Sequence, residues 1–325
     1  MPPAVGVPPA RSGAACGGGV PARRRAADMR RRRPDVRTRC GEREDATPLA
    51  SALRRKKATV QRRLEELEGG RVEEGMQTLM AETTPVDHPP FRMLNAIACA
   101  NLNEGRTAVA VELSRQNRED GADIARTAAA WAEAGADALA VHTDEFYTTD
   151  GAEDVRQVAR AAPGVPILAL DWTLHPVQVV DAMRSGAVAV QVVAQIMPES
   201  GIGALSQLIS RGGVDMVVEC VNVSDVEKAT AAGASLFGMN LTVGLKLASI
   251  PGAKESVLHG MLTSLPPDTF SVVGVNSVDA LQRAKADGAS CVVLQPALLE
   301  EQRLAGLPHK DIVMSARIPH GNKDR

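Results

Sequence analysis

Several short apolar runs in this chain end on residues that could move protons or hold a polar ligand. Glu112 closes Ala-Val-Ala-Val, His142, Thr143 and Asp144 follow Ala138 to Val141, Asp171 follows Ile167 to Leu170, and Gln195 follows Ala189 to Val193. Glu219 sits inside Val-Val-Glu-Cys, and Asn240 follows Leu236 to Met239. An acid placed in an apolar strand is costly unless it is hydrogen-bonded or put to use. Carboxylates and an imidazole gathered at strand ends can act as general acids and bases. Two other uses of the same groups stay open at this level. The acids can hydrogen-bond loops across the fold, with His142 as a loop support. Alternatively, Glu112, Glu219, Asp144, Asp171 and His142 can form an oxygen-rich seat for magnesium or calcium.

The elements that must carry these residues follow from a recurring turn. Ala134-Gly135-Ala136, Ser185-Gly186-Ala187, Ala232-Gly233-Ala234 and Asp287-Gly288-Ala289 each precede an apolar run, at intervals of 51, 47 and 55 residues. Each interval has room for two β-strand and α-helix units of about 25 residues. The strands read from the sequence are 108–113, 138–141, 167–170, 189–193, 216–218, 236–239, 270–273 and 291–294. Alternation with helices implies parallel pairing, and eight such strands close most naturally into a (β/α)8 TIM barrel over residues 86–312. An open, doubly wound sheet is the alternative, but the chain has neither GxGxxG after its first strand nor GxxxxGK[ST] anywhere. In such a barrel the strand C-terminal ends form the functional mouth, where the polar residues above collect.

Residues 46–85 read as a charged helical extension. Leu53, Val60, Leu64 and Leu67 share one helical face, Gly69 and Gly70 interrupt it, and Val72, Met76 and Leu79 resume it. Packing on the barrel is the plain reading, with a short coiled coil as the other. Residues 1–45 hold eleven arginines, no lysine and no acid before Asp28, the bias of an organellar transit peptide or of a disordered basic tail. Residues 313–325 read as a polar tail. The five cysteines, Cys16, Cys40, Cys99, Cys220 and Cys291, show no paired spacing, so neither a disulfide framework nor a zinc site is signalled. With 2% aromatic residues and a net charge of -2, nothing points to nucleic acid, and no apolar run reaches membrane-spanning length.

At the strand ends the sequence resembles the indole-3-glycerol phosphate synthase family. The resemblance rests on residues 134–145, on Asp171 to Gly186, on Asp215 to Glu219 and on Gly233 to Asn240. It spans about residues 90–300. It implies decarboxylating closure of an anthranilate-derived ribulose phosphate in tryptophan biosynthesis, without a cofactor. By position, Glu112, Glu219 and Asn240 match the family's functional residues. Asp171 matches the aspartate that follows its general-acid lysine, and Gly274 its phosphate-binding loop. The family's cations do not match. Leu170 stands in place of the strand-three general acid, Ser114 in place of the strand-one lysine, Thr242 in place of the strand-six arginine, and Gln295 in place of a glycine after strand eight. The family's serine after strand one is Asn117.

Loss of the general acid alone typically lowers a rate by about 10² to 10⁴. The expectation is therefore a barrel that has lost the ordinary reaction and acts as a binding, regulatory or assembly component. An active carboxy-lyase, with Arg115, Arg118 or Lys246 substituting for the missing cations, is the alternative. A phosphorylated small molecule is the expected ligand of an active form, and a protein is the expected partner of an inactive one. The pathway's location in plants and algae makes the chloroplast the expected compartment, with the mitochondrion second.

Overall fold

The computed structural model describes residues 48–67, 89–114, 123–240 and 252–317. The arginine-rich residues 1–45, the residues 72–79 expected to resume the helical stripe, Arg115, Asn117, Arg118, Thr242, Lys246 and residues 318–325 lie outside them.

Eight strands, β1 (Ala108–Leu113), β2 (Ala138–His142), β3 (Ile167–Leu170), β4 (Ala189–Val193), β5 (Asp215–Cys220), β6 (Leu236–Met239), β7 (Phe270–Val275) and β8 (Cys291–Leu294), form a closed barrel in sequence order. All pairs are parallel, and closure is made by β1 against β8, with Ala108 opposite Cys291 and Val111 opposite Leu294. Closure leaves no unpaired sheet edge.

Alternation along each strand sorts its residues. One set faces outward, including Val109, Val111, Leu139, Val190 and Val292, and packs against the surrounding helices. The other set points inward, and its lower layers are small or apolar: Ala108, Ala110, Ala138, Ala140, Leu168, Ala189, Val217, Val272 and Val293. Continuing the same alternation by one step brings Glu112, His142, Leu170, Gln191, Glu219, Gly238 and Gly274 to the top.

The outer helices begin where side chains cap them. Asp123 caps α3 (Ile124–Glu133), Asp150 caps α4 (Gly151–Ala161), and Asn222 caps α7 (Val223–Ala231). His175 and Gln178 make a reciprocal cap at α5 (Pro176–Ser185), and Ser277 caps α9 (Val278–Ala286). The four recurring glycines each adopt positive φ: Gly135 at 93°, Gly186 at 104°, Gly233 at 79° and Gly288 at 80°. A side chain would be strained there, which explains the repeated small-residue turn. The remaining outer helices are α6 (Glu199–Arg211), α8 (Ala253–Thr263), α10 (Pro296–Leu304) and α11 (His309–Ala316). The last of these carries ordered barrel packing past residue 312, since Val313 and Ala316 are buried, so the polar tail begins later than the sequence suggested.

Two helices precede the repeat, as α11 follows it. Helix α2 (Arg92–Ala98) and the wide turn after it (Cys99–Asn103) plug the barrel floor with Met93, Ile97 and Ala100. Helix α1 (Pro48–Glu66) packs Val60, Leu64 and Leu67 against Val177 and Val180 of α5, as its stripe predicted. It stops just before the Gly69-Gly70 pair.

Candidate active site

The mouth encloses a cavity of about 1050 Å³, lined by side chains from all eight strands or the loops after them and from α1. Its walls are apolar where Leu168, Leu170, Val217, Met239, Val272 and Val293 face inward. Glu112, Asp171, Glu219, Asn240 and Gly274, the positions singled out from the sequence, all line it. So do His142, Asp144 and Gln195.

The polar groups divide into two sets. In the first, Glu112 Oε1 lies 2.9 Å from His142 Nε2, and Gln295 Nε2 donates to Glu112 Oε2 at 3.2 Å. Tyr147 stacks on the His142 ring at 4.0 Å between centroids. Glu219 is buried and accepts a hydrogen bond from the Gln191 carboxamide. Burial pushes its carboxyl up to about 7, and the nearby negative charge of Glu112 adds to the rise. Close to neutrality Glu219 therefore exchanges a proton readily, as a general acid or base must. Burial also raises the Tyr147 hydroxyl, helped by the charges of Glu112, Asp144 and Glu219.

The second set is organised by a residue that the sequence reading did not single out. Lys56, from α1, reaches the mouth and places Nζ 2.8 Å from Asp144 Oδ2 and 2.5 Å from Asp171 Oδ1. It is only 4% exposed. Burial opposes its charge, but Asp171 and Asp144 outweigh that and hold its pKa above the usual value. Desolvation pushes Asp144 up, yet the bonds from Lys56 and from the Phe146 amide bring it below the ordinary carboxylate value. Asp171 also accepts from its neighbour's amide and from Gln178 Nε2, so it is fixed from three directions.

The sequence reading looked for substitute cations at Arg115, Arg118 and Lys246, and the ammonium that enters the mouth among the described residues comes instead from α1. The signal was present in α1. Leu53 and Val60 are seven residues apart, and Lys56 fills the helical position between them, on the buried stripe. A lysine in an apolar stripe calls for a buried carboxylate partner, and two are there. Gln191, Tyr147 and Asn276 also line the cavity and were not picked out from the sequence. Gln191 was hidden inside a strand read as uniformly apolar.

A metal seat built from all five groups is not what the structure shows. His142 is engaged with Glu112, and Asp144 and Asp171 with Lys56. Among the described residues, no group of three or more His, Cys, Asp or Glu side chains is arranged to hold a metal ion.

The space beside Gly274 is filled. A Cβ built on Gly274 would lie 3.3 Å from Gln295 Nε2 and 3.6 Å from Asn240 Cγ. The Gln295 carboxamide thus occupies the space into which a side chain at 274 would project. Its Oε1 is buried and has no hydrogen-bond donor.

Fold and site together define a (β/α)8 barrel with an acid-rich mouth at the C-terminal ends of its strands, the face on which barrel enzymes place their chemistry. The sequence profile of the indole-3-glycerol phosphate synthase family matches residues 56–307, and the chain belongs to that family. It is 28% identical over 200 residues to the indole-3-glycerol phosphate synthase of Arthrobacter sp., covering 59% of this chain and 72% of that protein. It is 31% identical over 192 residues to the synthase of Desulfosudis oleivorans, covering 57% and 71%. Among solved structures, the N-acetylmannosamine-6-phosphate 2-epimerase of Clostridium perfringens superposes with a TM-score of 0.50 at 14% identity, covering 68% of this chain and 96% of that one. That likeness concerns the fold alone. No helix among the described residues is long and apolar enough to cross a membrane.

Proposed function

We propose that this barrel has kept the ligand-binding mouth of the indole-3-glycerol phosphate synthases but does not run their ring closure at an ordinary rate, and serves as a binding, regulatory or assembly component linked to tryptophan biosynthesis. One observation carries the reading. Leu170 occupies the inward position at the end of β3 where the family resemblance calls for a general-acid lysine, and the lysine that does reach the mouth is held between two carboxylates. Leucine cannot donate a proton. An ammonium shared by Asp144 and Asp171 is stabilised in its charged form and is a poor donor. The Gln295 carboxamide above Gly274 adds a steric reason for weak phosphate binding.

Lys56 also supports a second reading. Its ammonium lies against Asp171, the residue next to Leu170, so helix α1 returns a positive charge to the part of the mouth from which β3 has lost one. On that reading the chain is a divergent carboxy-lyase that acts on a phosphorylated substrate, with Glu219 and Glu112 as its acid–base pair. Complementation separates the two. A tryptophan-requiring strain lacking its own synthase, expressing the soluble full chain, remains dependent on tryptophan under the first reading. Growth that is abolished by Lys56→Met supports the second.

The arginine-rich, acid-free start of the leader supports delivery to the chloroplast, since the family's pathway runs there in plants and algae. Imaging of residues 1–60 fused to a fluorescent protein tests this: plastid fluorescence is expected, and mitochondrial or cytosolic signal contradicts it.

A further inference from the structure

Five carboxylates line the mouth, namely Glu112, Asp144, Glu145, Asp171 and Glu219, against two permanent cations among the described residues, Arg55 and Lys56. The two cations are not spare. Lys56 is saturated by Asp144 and Asp171, and the Arg55 guanidinium lies 5.9 Å from the centre of the Phe146 ring. Glu112 and Glu219, deeper in the cup, are held by an imidazole and neutral carboxamides rather than by a lysine or arginine. Glu112 is held by His142 and Gln295, and Glu219 by Gln191. Glu219 feels the charge of Glu112, and Tyr147 feels both, so they share one chamber.

Two observations agree on what this chamber favours. Two like charges in mutual repulsion are relieved by a positive charge between them. The mouth also already accommodates one primary ammonium, that of Lys56, at hydrogen-bonding distance from two carboxylates. The walls beside Glu219 and Glu112 are hydrocarbon: Leu168, Leu170, Val217, Met239 and Val272.

We propose that the mouth takes a cationic amine with an apolar or aromatic body, its ammonium seated between Glu112 and Glu219 and its body against the Leu168, Leu170 and Val272 wall. This rests on the reading that the barrel is a binding component, and it names the class of ligand. The preference is the reverse of that expected for a doubly anionic sugar phosphate. An ammonium supplies three donors, which Glu112 and Glu219 can accept from either side. A carboxylate or phosphate in the same place would face two carboxylates across a low-dielectric chamber.

The test uses two probes of nearly equal shape and opposite charge, tryptamine and indole-3-propionate, titrated calorimetrically into the purified full chain. Tryptamine is expected to bind about tenfold or more tightly than the acid, the scale set by part of one charge pair. Glu219→Gln and Glu112→Gln, both nearly isosteric, are each expected to weaken tryptamine by about tenfold. The proposal is overturned if the acid binds as well as the amine, if neither binds at millimolar concentration, or if both glutamine variants leave tryptamine affinity unchanged. Failure of the underlying reading shows itself differently, as formation of indole-glycerol phosphate from the ribulose phosphate substrate.

Discussion

At the floor of the barrel, Arg106 donates to both oxygens of Asp137 at 2.7 Å and to Glu104 at 2.6 Å, while Arg317 reaches the same Asp137 at 3.2 Å. At the mouth, Lys56 is shared by Asp144 and Asp171 while Glu112 and Glu219 stand nearby. Both ends trap cations among acids, but among the described residues the floor network pairs two arginines with two carboxylates whereas the mouth has more acids than cations. The floor is also tied into the backbone, since Asp137 accepts from the Val109 amide at 2.8 Å and Arg106 donates to the Thr107 carbonyl. Balanced, doubly anchored charge is what a structural network looks like. Unbalanced charge around an open cavity is what a ligand can exploit.

That contrast can be broken most forcefully at the floor. Arg106→Met leaves Asp137 buried without its bidentate partner and is expected to cost about 3–5 kcal/mol in denaturant unfolding. Lys56→Met is expected to cost only about 1–2 kcal/mol, because water entering the cavity can rehydrate Asp144 and Asp171. Equal losses would mean that the two ends are alike and that the mouth is as structural as the floor.

Restoring the missing parts sharpens the contrast from the other side. The double variant Leu170→Lys with Gln295→Gly returns an ammonium to β3 and clears the space over Gly274. It is expected to raise ring closure at least about 10²-fold over the unmodified chain, read by indole fluorescence, which is the lower end of what a general acid contributes. No gain would show that the block lies elsewhere.

The smallest effect concerns Asp215, at the foot of β5, which accepts the Met93 and Leu94 amides at 2.8 and 3.2 Å and so caps α2. Asp215→Ala is expected to cost about 1–2 kcal/mol, the value of a lost cap. Asp215→Asn keeps an acceptor and is expected to cost little. Burial raises the Asp215 carboxyl from its ordinary 3.8 to about 6, against the pull of the two amides. A raised folded-state value favours the protonated form, so the stability this group contributes is full below pH 3.8 and declines as pH climbs through about 6. Unfolding of Asp215→Asn across that range should lack the decline. An identical pH profile would assign it to another group.

The barrel was written in the sequence because its determinants are local. Strand-length apolar runs recur eight times, punctuated by small-residue turns and helix-capping residues, and β1, β3, β4, β6 and β8 have the bounds read from the sequence. β2, β5 and β7 run further, through His142, through Asp215 and Cys220, and through Val275. His142, Asp215, Glu219 and Gly274 interrupt the apolar runs there, where an apolar criterion stops. The acids of the mouth were legible for the same reason, since a carboxylate in a buried strand stands out.

Lys56 was not legible as a mouth residue. Its role depends on how α1 docks, a tertiary contact between residues more than 85 positions apart, and a helix full of charges conceals which one turns inward. Gln295 was visible as a departure from the family but not as a plug. Its effect follows from the close approach of β7 and β8, which only the register reveals.

We propose that a mouth with leucine at the end of β3, and with the one lysine lining it among the described residues tied to two aspartates, does not turn over the family's substrate at an ordinary rate. The direct measurement is steady-state formation of indole-glycerol phosphate by the purified full chain supplied with the anthranilate-derived ribulose phosphate, followed by indole fluorescence beside an ordinary synthase. A rate at least about 10²-fold below that synthase is predicted. Comparable turnover would contradict the account and make Lys56 the first residue to examine as the source of the missing charge.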